Sequence, residues 1–505
     1  MNQISDNSRR IARNTVYLYI RMLVMMVIGL VTYRVIFRAL GVSDYGVYSA
    51  VGGVVTMFML VMGTVNSAVM RYITVGLGKG DPDKLRTVFW TSVVIMAAFS
   101  ALIVLLTETL GLWYLHNKMV IPDGRMGAAE VVLHSSAAIM MISLLTVPYQ
   151  SVITAHEHMS AYAYISICEA VIKLAIAFLV ASSGADKLVT YALCLMIASI
   201  LVRGSFVLYC YRHFDESHGP VRYDLSLVKE MGAYAGWNFL GSGAHMLNTQ
   251  GVNQLMNIFF GVGVNAARGV ADKVDQVVRQ FATNIAFALN PQLTKSYVSG
   301  NKEYSFSLVC KGSKYYFWVL WVLIIPFLTD AETILRLWIV DYPPQAAIFT
   351  RLALLCFLID FTPATLNTLE QANGRLRRYY LITSGIAVSC FVFSLVAYKL
   401  GAPSWSAYVI YLAVYVLKAA AMLLVAHCDT GFPVRLYLRT AVLPMFAVIV
   451  PSLLAVSPLY FFAPQAWWRF IAAAVAGVVS SAAGIWLCGL SDGEKQFILS
   501  KVRRG

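Results

Sequence analysis

An all-α polytopic membrane protein with 14 transmembrane helices is the fold this chain predicts, and three observations carry that reading. Apolar segments long enough to cross a bilayer recur along all 505 residues. Hydrophobic residues make up 59% of the chain, charged residues only 13%, and mean hydropathy is +0.69, more apolar surface than a soluble core needs. Lys and Arg, finally, gather in every second connection between the apolar segments.

The spans read as 15–37, 46–68, 87–107, 130–153, 160–182, 187–210, 232–259, 265–290, 314–329, 346–370, 379–399, 405–427, 437–459 and 467–489. Each has about the ~20 residues that a spanning helix needs. The first follows a basic cluster of Arg9, Arg10 and Arg13, but its apolar run is too long for a secretory leader and lacks a small-residue cleavage site. Asp81-Pro82 supply an N-cap and a first-turn proline for the third. Pro148 falls inside the fourth and Pro363 inside the tenth, where a missing backbone N–H bends a helix. After the fourteenth, Ser491, Asp492 and Glu494 open a short helix that lays Phe497 and Ile498 on the membrane surface.

The connections on the side that includes both termini hold 23 of the 39 Lys and Arg, those on the other side hold 7, and nine lie inside spans. The positive-inside rule therefore puts both termini in the cytoplasm. A missed span would scramble this alternation, so the split also supports the count of fourteen. The net charge of +14 is accounted for by loops facing anionic inner-leaflet lipid, which makes membrane lipid an expected partner and nucleic acid not one.

Several chemistries are disfavoured. The eight cysteines include no pair three apart, which supports neither a disulfide framework nor a zinc site. His156-Glu157-His158 would diverge on a helix and reads as a short cytoplasmic turn, so no metal site is expected. There is no phosphate-binding GxxxxGK[ST] loop, and the longest connection on the less basic side is only about 108–129, too short for a catalytic domain. No enzyme is expected and no catalytic residue is assigned.

Weak internal symmetry suggests two lobes. Leu40-Gly41-Val42-Ser43-Asp44-Tyr45-Gly46 after the first span is echoed by Phe260-Gly261-Val262-Gly263-Val264-Asn265-Ala266 after the seventh, and Pro148 is echoed by Pro363. The expected organisation is a first six-helix lobe over 1–218, a second over 219–429, and two appended helices with a short cytoplasmic tail over 430–505. Each proline is either a static kink or a hinge.

The eighth span is the least membrane-like. Asn265, Arg268, Asp272, Asp275, Gln276, Arg279, Thr283 and Asn290 fall within a stripe of about 100° on a helical wheel, opposite Val270, Val274, Val277, Val278, Phe281, Ile285 and Ala288. Each charge facing lipid would cost ~2.5–3.5 kcal/mol or more, so the stripe faces other helices or water. Asp275 and Arg279 are four apart and can pair, whereas Arg268 has no obvious surplus partner. Arg21 shares a face with Asn14 and Thr32 in the first span, and Asn238, Ser242, His245 and Thr249 line up in the seventh. If these stripes converge, they make a cationic cleft suited to phosphate. Arg34 lies within a turn of its helix end, where snorkelling outward competes with ligand binding. Glu169 and Lys173 are four apart and pair with each other; Arg203, Arg351 and Lys418 read as isolated.

These residues resemble a family. Ala12-Arg13-Asn14-Thr15, Arg21-Met22, Leu40-Gly41, Asp44-Tyr45-Gly46-Val47-Tyr48, Val51-Gly52-Gly53-Val54-Val55 and Arg71-Tyr72 look like the opening of the polysaccharide-export flippases of the MOP superfamily, the Wzx-type branch. Asn265-Ala266-Ala267-Arg268-Gly269-Val270-Ala271 and Ala288-Leu289-Asn290-Pro291-Gln292-Leu293-Thr294-Lys295-Ser296-Tyr297 resemble its eighth span and exit. The likeness covers the layout of twelve core spans and fades beyond residue 430. It implies the MATE-like MOP fold and a place in a bacterial cytoplasmic (inner) membrane. It also implies flipping of an undecaprenyl-pyrophosphate-linked oligosaccharide, for O-antigen, capsule or exopolysaccharide, by alternating access, with glycan polymerase or assembly proteins as partners. Arg21, Arg268 and Arg279 are then the carriers of pyrophosphate and sugar, with Arg34, His245, Asp272 and Asp275 beside them, and Pro148 and Pro363 as hinges. No cofactor is implied, and the coupling ion, H+ or Na+, stays open. Two alternatives are a multidrug/cation antiporter of the same superfamily, which would favour carboxylates in the cavity, and a membrane glycan polymerase or ligase.

Overall fold

A computed structural model describes the chain except residues 1, 57–68, 70–71, 74–81, 157, 219–220, 230–245, 340, 375, 463–466, 491–493 and 497–505; within helices it leaves aside the side chains of 2–22, 159, 284, 287, 288, 291, 376, 460–462, 467 and 488. Every element of regular structure among the described residues is helical. Leaving aside the short Leu112–Asn117 and the 3-10 and π turns, the helices are in chain order α1 (Asn2–Thr56), α2 (Pro82–Leu106), α3 (Met126–Leu145), α4 (Val147–Ala155), α5 (Met159–Ser182), α6 (Lys187–His213), α7 (Val252–Phe260), α8 (Val262–Val298), α9 (Lys302–Ile339), α10 (Ala346–Phe361), α11 (Ala364–Asn373), α12 (Leu376–Lys399), α13 (Ser406–Thr430), α14 (Val434–Tyr437), α15 (Leu443–Phe462) and α16 (Trp467–Gly484).

Eleven of the described helical stretches are long and apolar enough to cross a membrane, and the protein is a multi-pass membrane protein. Three of the expected spans do not stand separately among these eleven. The first and second are joined through the corner at Gly41 into one stretch, and the second runs on into residues outside the described set. Half of the seventh, 232–245, is also outside. The eighth is α8, a continuous helix whose charged stripe lowers its hydropathy.

Two corners repeat. Gly41 breaks α1 at φ 73, ψ 178, and Gly261 separates α7 from α8 at φ 80, ψ −177. That conformation is closed to residues with a Cβ. The echo between Leu40-Gly41 and Phe260-Gly261 is therefore a shared backbone geometry as well as a shared sequence. Pro148 and Pro363 behave alike too: neither sits inside a continuous helix. Thr146 (φ −94, ψ −4) ends α3 and Pro148 stands in the first turn of α4, while Pro363 (φ −83, ψ 14) separates α10 from α11. Both prolines lie within candidate spans, Met126–Ala155 and Ala346–Asn373, and the helix of each span stops and restarts there, because the ring clashes with the preceding turn.

The chain divides into two compact units, Met1–Ala266 and Ala267–Gly505. In the first, Val47, Val51, Phe89, Met96, Val132, Leu144, Ala177, Val180 and Phe206 join α1, α2, α3, α5 and α6 in one core. In the second, Trp318, Trp321, Ile324, Leu335, Phe349, Leu354, Phe357 and Leu366 are buried, and the Trp321 indole donates to Ser452 at 2.8 Å. In lipid the helices gain little from apolar burial alone, so close approach through small residues and such polar ties carry the packing.

Candidate functional site

In the first unit, the half of α1 beyond Gly41 turns Gly46, Ala50 and Gly53 toward the corner of α7 and α8. A Cβ on Gly46 would meet the Val262 carbonyl oxygen at 2.3 Å, and one on Gly53 would meet the amide heads of Asn253, Gln250 and Gln254 at 3.1–3.2 Å. This small-residue stripe lets carboxamides reach backbone. Gln254 donates to the Ala50 carbonyl at 2.9 Å, Asn257 accepts from the Val120 amide at 3.0 Å, and Asn265 donates to the Asn253 carbonyl at 2.8 Å. Asn253, Gln254, Asn257 and Asn265 are all buried. A π-helical turn, Leu247–Gly251, precedes them, an irregularity that often accompanies function.

At one end of the same unit Arg125 bridges two acids. Its guanidinium donates to Asp44 at 2.6 Å and to Asp186 at 2.6 and 3.2 Å. Asp186 also caps α6, accepting from the Leu188 and Val189 amides. The Arg125 hydrogen bond holds the Asp186 carboxyl below its usual range. At another end, His156 meets Glu216 at 2.6 Å, and His158 meets the Tyr209 hydroxyl at 2.9 Å. Burial, with His156 and His213 nearby, lowers the His158 pKa.

The charged stripe of α8 belongs to the second unit. Val270, Ala271, Val274 and Val278 are buried, whereas Asp272 and Gln276 are exposed, so the apolar side packs while the polar stripe runs from buried Asn265 and Arg268 to exposed positions. Arg268, 4% exposed, is 3.6 Å from Asp272 and lies over the Tyr408 ring at 5.9 Å. The Arg279 Nε donates to Asp275 at 2.9 Å, and its guanidinium stacks on Phe357 at 4.1 Å. The Asp272 side chain is 58% exposed.

The expected lack of a partner for Arg268 is thus corrected by Asp272, one helical turn on. Lys418 and Arg351 are not isolated either. Lys418 donates to Asp360 at 2.8 Å, and Arg351 forks onto Glu332 at 2.7 and 2.5 Å. Lys418 missed its partner because Asp360 is 58 residues away, on α10. Sequence reasoning passed over Asp360, the α7 carboxamides and two buried ion pairs, Asp330–Arg469 at 3.1 Å and Lys314–Glu494 at 2.9 Å. The available signal was the same for all: polar residues standing in apolar runs. Arg34 is half-buried in α1. The Arg21 side chain and all of His245 lie outside the described residues.

Residues 11–297 match the family model described as polysaccharide biosynthesis protein. No curated protein sequence matches the chain. Among solved structures, the lipid II flippase MurJ in an inward closed conformation is similar at TM-score 0.68 and 13% identity, with 94% of this chain and 98% of that one covered. A multidrug resistance MATE family transporter of the MOP superfamily, inward-facing, is similar at TM-score 0.51 and 10% identity over 94% and 96%. A MOP superfamily transporter from Pyrococcus furiosus is similar at TM-score 0.55 and 11% identity over 84% and 96%. At such identities the structures speak for the fold, while the family match spans more than half of the sequence. The chain belongs to the polysaccharide biosynthesis protein family, on the fold shared by MOP-superfamily transporters.

Proposed function

We propose that the protein flips an undecaprenyl-pyrophosphate-linked oligosaccharide from the inner to the outer leaflet of a bacterial cytoplasmic membrane. Its two six-helix lobes alternate access to a cationic cleft, with fourteen spans, both termini inside and the last two helices appended. The observation that carries this reading is the α8 stripe: Arg268 and Arg279, each on an aromatic ring and each beside an acid, in a helix too charged to face lipid. A guanidinium oriented by a carboxylate and seated on a ring, as Arg279 is by Asp275 and Phe357, presents a fork of N–H groups, the geometry that a pyrophosphate accepts. Arg21, His245 and Arg34 complete the cleft in this proposal, and Pro148 and Pro363, where helices stop and restart, supply its hinges.

The test is a deletion strain assayed for surface glycan. Restoration by the wild-type chain but not by Arg268→Ala, at equal membrane levels, supports the proposal; glycan that persists without the gene overturns it. A second reading has its own observation. Each cation of the second-unit cluster is matched by an acid, Asp272, Asp275 or Asp360, and Asp272 is exposed, as a cation antiporter would require. Raised drug sensitivity of the deletion strain with normal glycan would favour it.

A further inference from the structure

Helices α5 and α6 of the first unit carry three charges that the proposed cleft does not use. Lys173 donates to the Glu169 carboxylate at 2.6 Å, and an Nη of Arg203 lies 3.9 Å from the same oxygen. Glu169 is about 15 Å along α5 from its start, close to the middle of the span. The three side chains are on the inward side of their helices. On α5 the half-turn that holds Glu169 and Lys173 also holds the buried Ser166, Ala170, Ala177 and Val180, while Tyr164, Val171, Phe178 and Leu179 point outward at 49–60% exposure. Lys173 is nevertheless 48% exposed, so part of its side chain remains accessible.

Among the described residues, Glu169 is the one acid in salt-bridge reach of either cation, and Lys173 holds its nearer oxygen. Arg203 is left at a distance well beyond the 2.7–2.9 Å of a charge-assisted bond, 19% exposed, and its Nε is buried without a hydrogen-bond partner. Among the described residues two cations therefore share this carboxylate in a low-dielectric layer, where a surplus charge is costly until an anion joins it. Scaffold pairs elsewhere in the molecule are different: Arg351–Glu332 and Lys418–Asp360 are matched one to one at 2.5–2.8 Å.

We propose that Lys173 and Arg203, held around Glu169, form an anion subsite at mid-membrane in the first unit that takes a phosphate or pyrophosphate group. Identifying that group as the head of a lipid-linked substrate rests on the flippase reading; the anion subsite itself does not. A pyrophosphate docking there receives the free edge of the Arg203 guanidinium and the accessible side of the Lys173 ammonium, and Glu169 sets how tightly the anion is kept. A substrate that must leave again is served by a carboxylate that competes for the same cations.

The experiment measures binding to the purified full-length protein in nanodiscs, with three probes: a short prenyl pyrophosphate, the corresponding prenyl alcohol, and inorganic pyrophosphate. Arg203→Gln is expected to weaken prenyl pyrophosphate binding tenfold or more, Lys173→Gln severalfold, and Arg203→Lys less than Arg203→Gln, while binding of the alcohol is unchanged. Glu169→Gln separates a ligand site from a scaffold: it should hold or tighten pyrophosphate binding, because the competing carboxylate is gone. Prenyl pyrophosphate binding within twofold of wild type in both Arg203→Gln and Lys173→Gln overturns the subsite, as does a fall in Glu169→Gln equal to that in Arg203→Gln. Inorganic pyrophosphate that binds as tightly as the prenyl form, with the same loss in Arg203→Gln, keeps the subsite and assigns it to a soluble anion. A deletion strain with normal glycan, alongside Arg203-dependent binding, fails the flippase reading and leaves the subsite standing.

Discussion

Replacing Gly46 by Ala puts one methyl group into the tightest backbone approach at any described glycine of the first unit. Its Cβ would lie 2.3 Å from the carbonyl oxygen and 2.9 Å from the carbonyl carbon of Val262. Real Cβ contacts stay above 3.0 Å, so the two segments must part by about 0.7 Å, and the group in the way is backbone, not the end of a flexible side chain. The neighbouring Gly261 corner, fixed at φ 80, gives Val262 little room to retreat. Overpacking at a rigid contact costs about 1–3 kcal/mol, and the helix preference of Ala over Gly returns at most about 1 kcal/mol. With that full gain a net loss of up to about 2 kcal/mol, or up to about thirty-fold less of the packed corner, follows. Gly52→Ala is the internal control: its nearest neighbour would be Ser136 Oγ at 3.9 Å, so helix preference alone acts and the change is neutral or stabilising by up to about 1 kcal/mol. The assay is the midpoint of thermal aggregation of detergent-solubilised protein, followed by size exclusion, with surface-glycan complementation alongside. Gly46→Ala should melt a few degrees lower and complement less well. Melting of Gly46→Ala at or above wild type, or an equal loss in Gly52→Ala, would refute the reasoning.

Three other outcomes are expected. If Arg279 touches substrate, Arg279→Ala loses a charge-assisted bond of ~1.5–3 kcal/mol and substrate capture falls about ten- to a hundred-fold; Arg279→Lys recovers part of it, and Asp275→Ala added to Arg279→Ala recovers none, whereas full recovery of glycan export in that double variant makes Arg279 scaffold. Pro363→Ala restores an N–H between α10 and α11 and joins them more rigidly, so transport should fall with the protein still in the membrane; unchanged export leaves a static break. His158 has a folded-state pKa below the usual 6.5, lowered first by burial and then by His156 and His213, so its contribution to stability is present above about pH 6.5 and is lost as pH falls through the lowered value. Melting midpoints measured from pH 7.5 to 5 should fall more steeply for wild type than for His158→Gln, and parallel curves would count against this.

What could be read in the sequence followed the range of the interaction involved. The α8 stripe and the Asp275–Arg279 pair obey the periodicity of a single helix, and both are present. The glycine corners were readable because a conformation that only Gly tolerates leaves the same residue at Gly41 and Gly261. Lys418 and Arg351 looked isolated because a charge in a span finds its partner across helices, Asp360 and Glu332 being 58 and 19 residues away. Pro148 and Pro363 lie within spans as expected, but the full break of the helix at each was not legible, since hydropathy runs smoothly across a position where the backbone stops and restarts. The carboxamides of α7 were passed over for another reason: Asn253, Gln254 and Asn257 carry no charge, and only their burial against the small residues of α1 shows that they matter.

The ties between α9 and the end of the chain decide where the protein can be cut or tagged. Lys314 and Asp330 are 16 residues apart, about 24 Å along the helix, so the last span is fastened to α9 near both of its ends, by Lys314–Glu494 and Asp330–Arg469. Lys314 is 6% exposed, and its other companions are the Gly489 carbonyl and the rings of Tyr315 and Trp318. A chain clipped ahead of Glu494 would strand that ammonium, a loss of the 3–5 kcal/mol order that follows when one partner of a buried pair is removed. Affinity tags and fluorescent reporters therefore belong beyond residue 496, and a shortened version made for crystallisation or topology mapping would report on a loosened α9 rather than on the native protein.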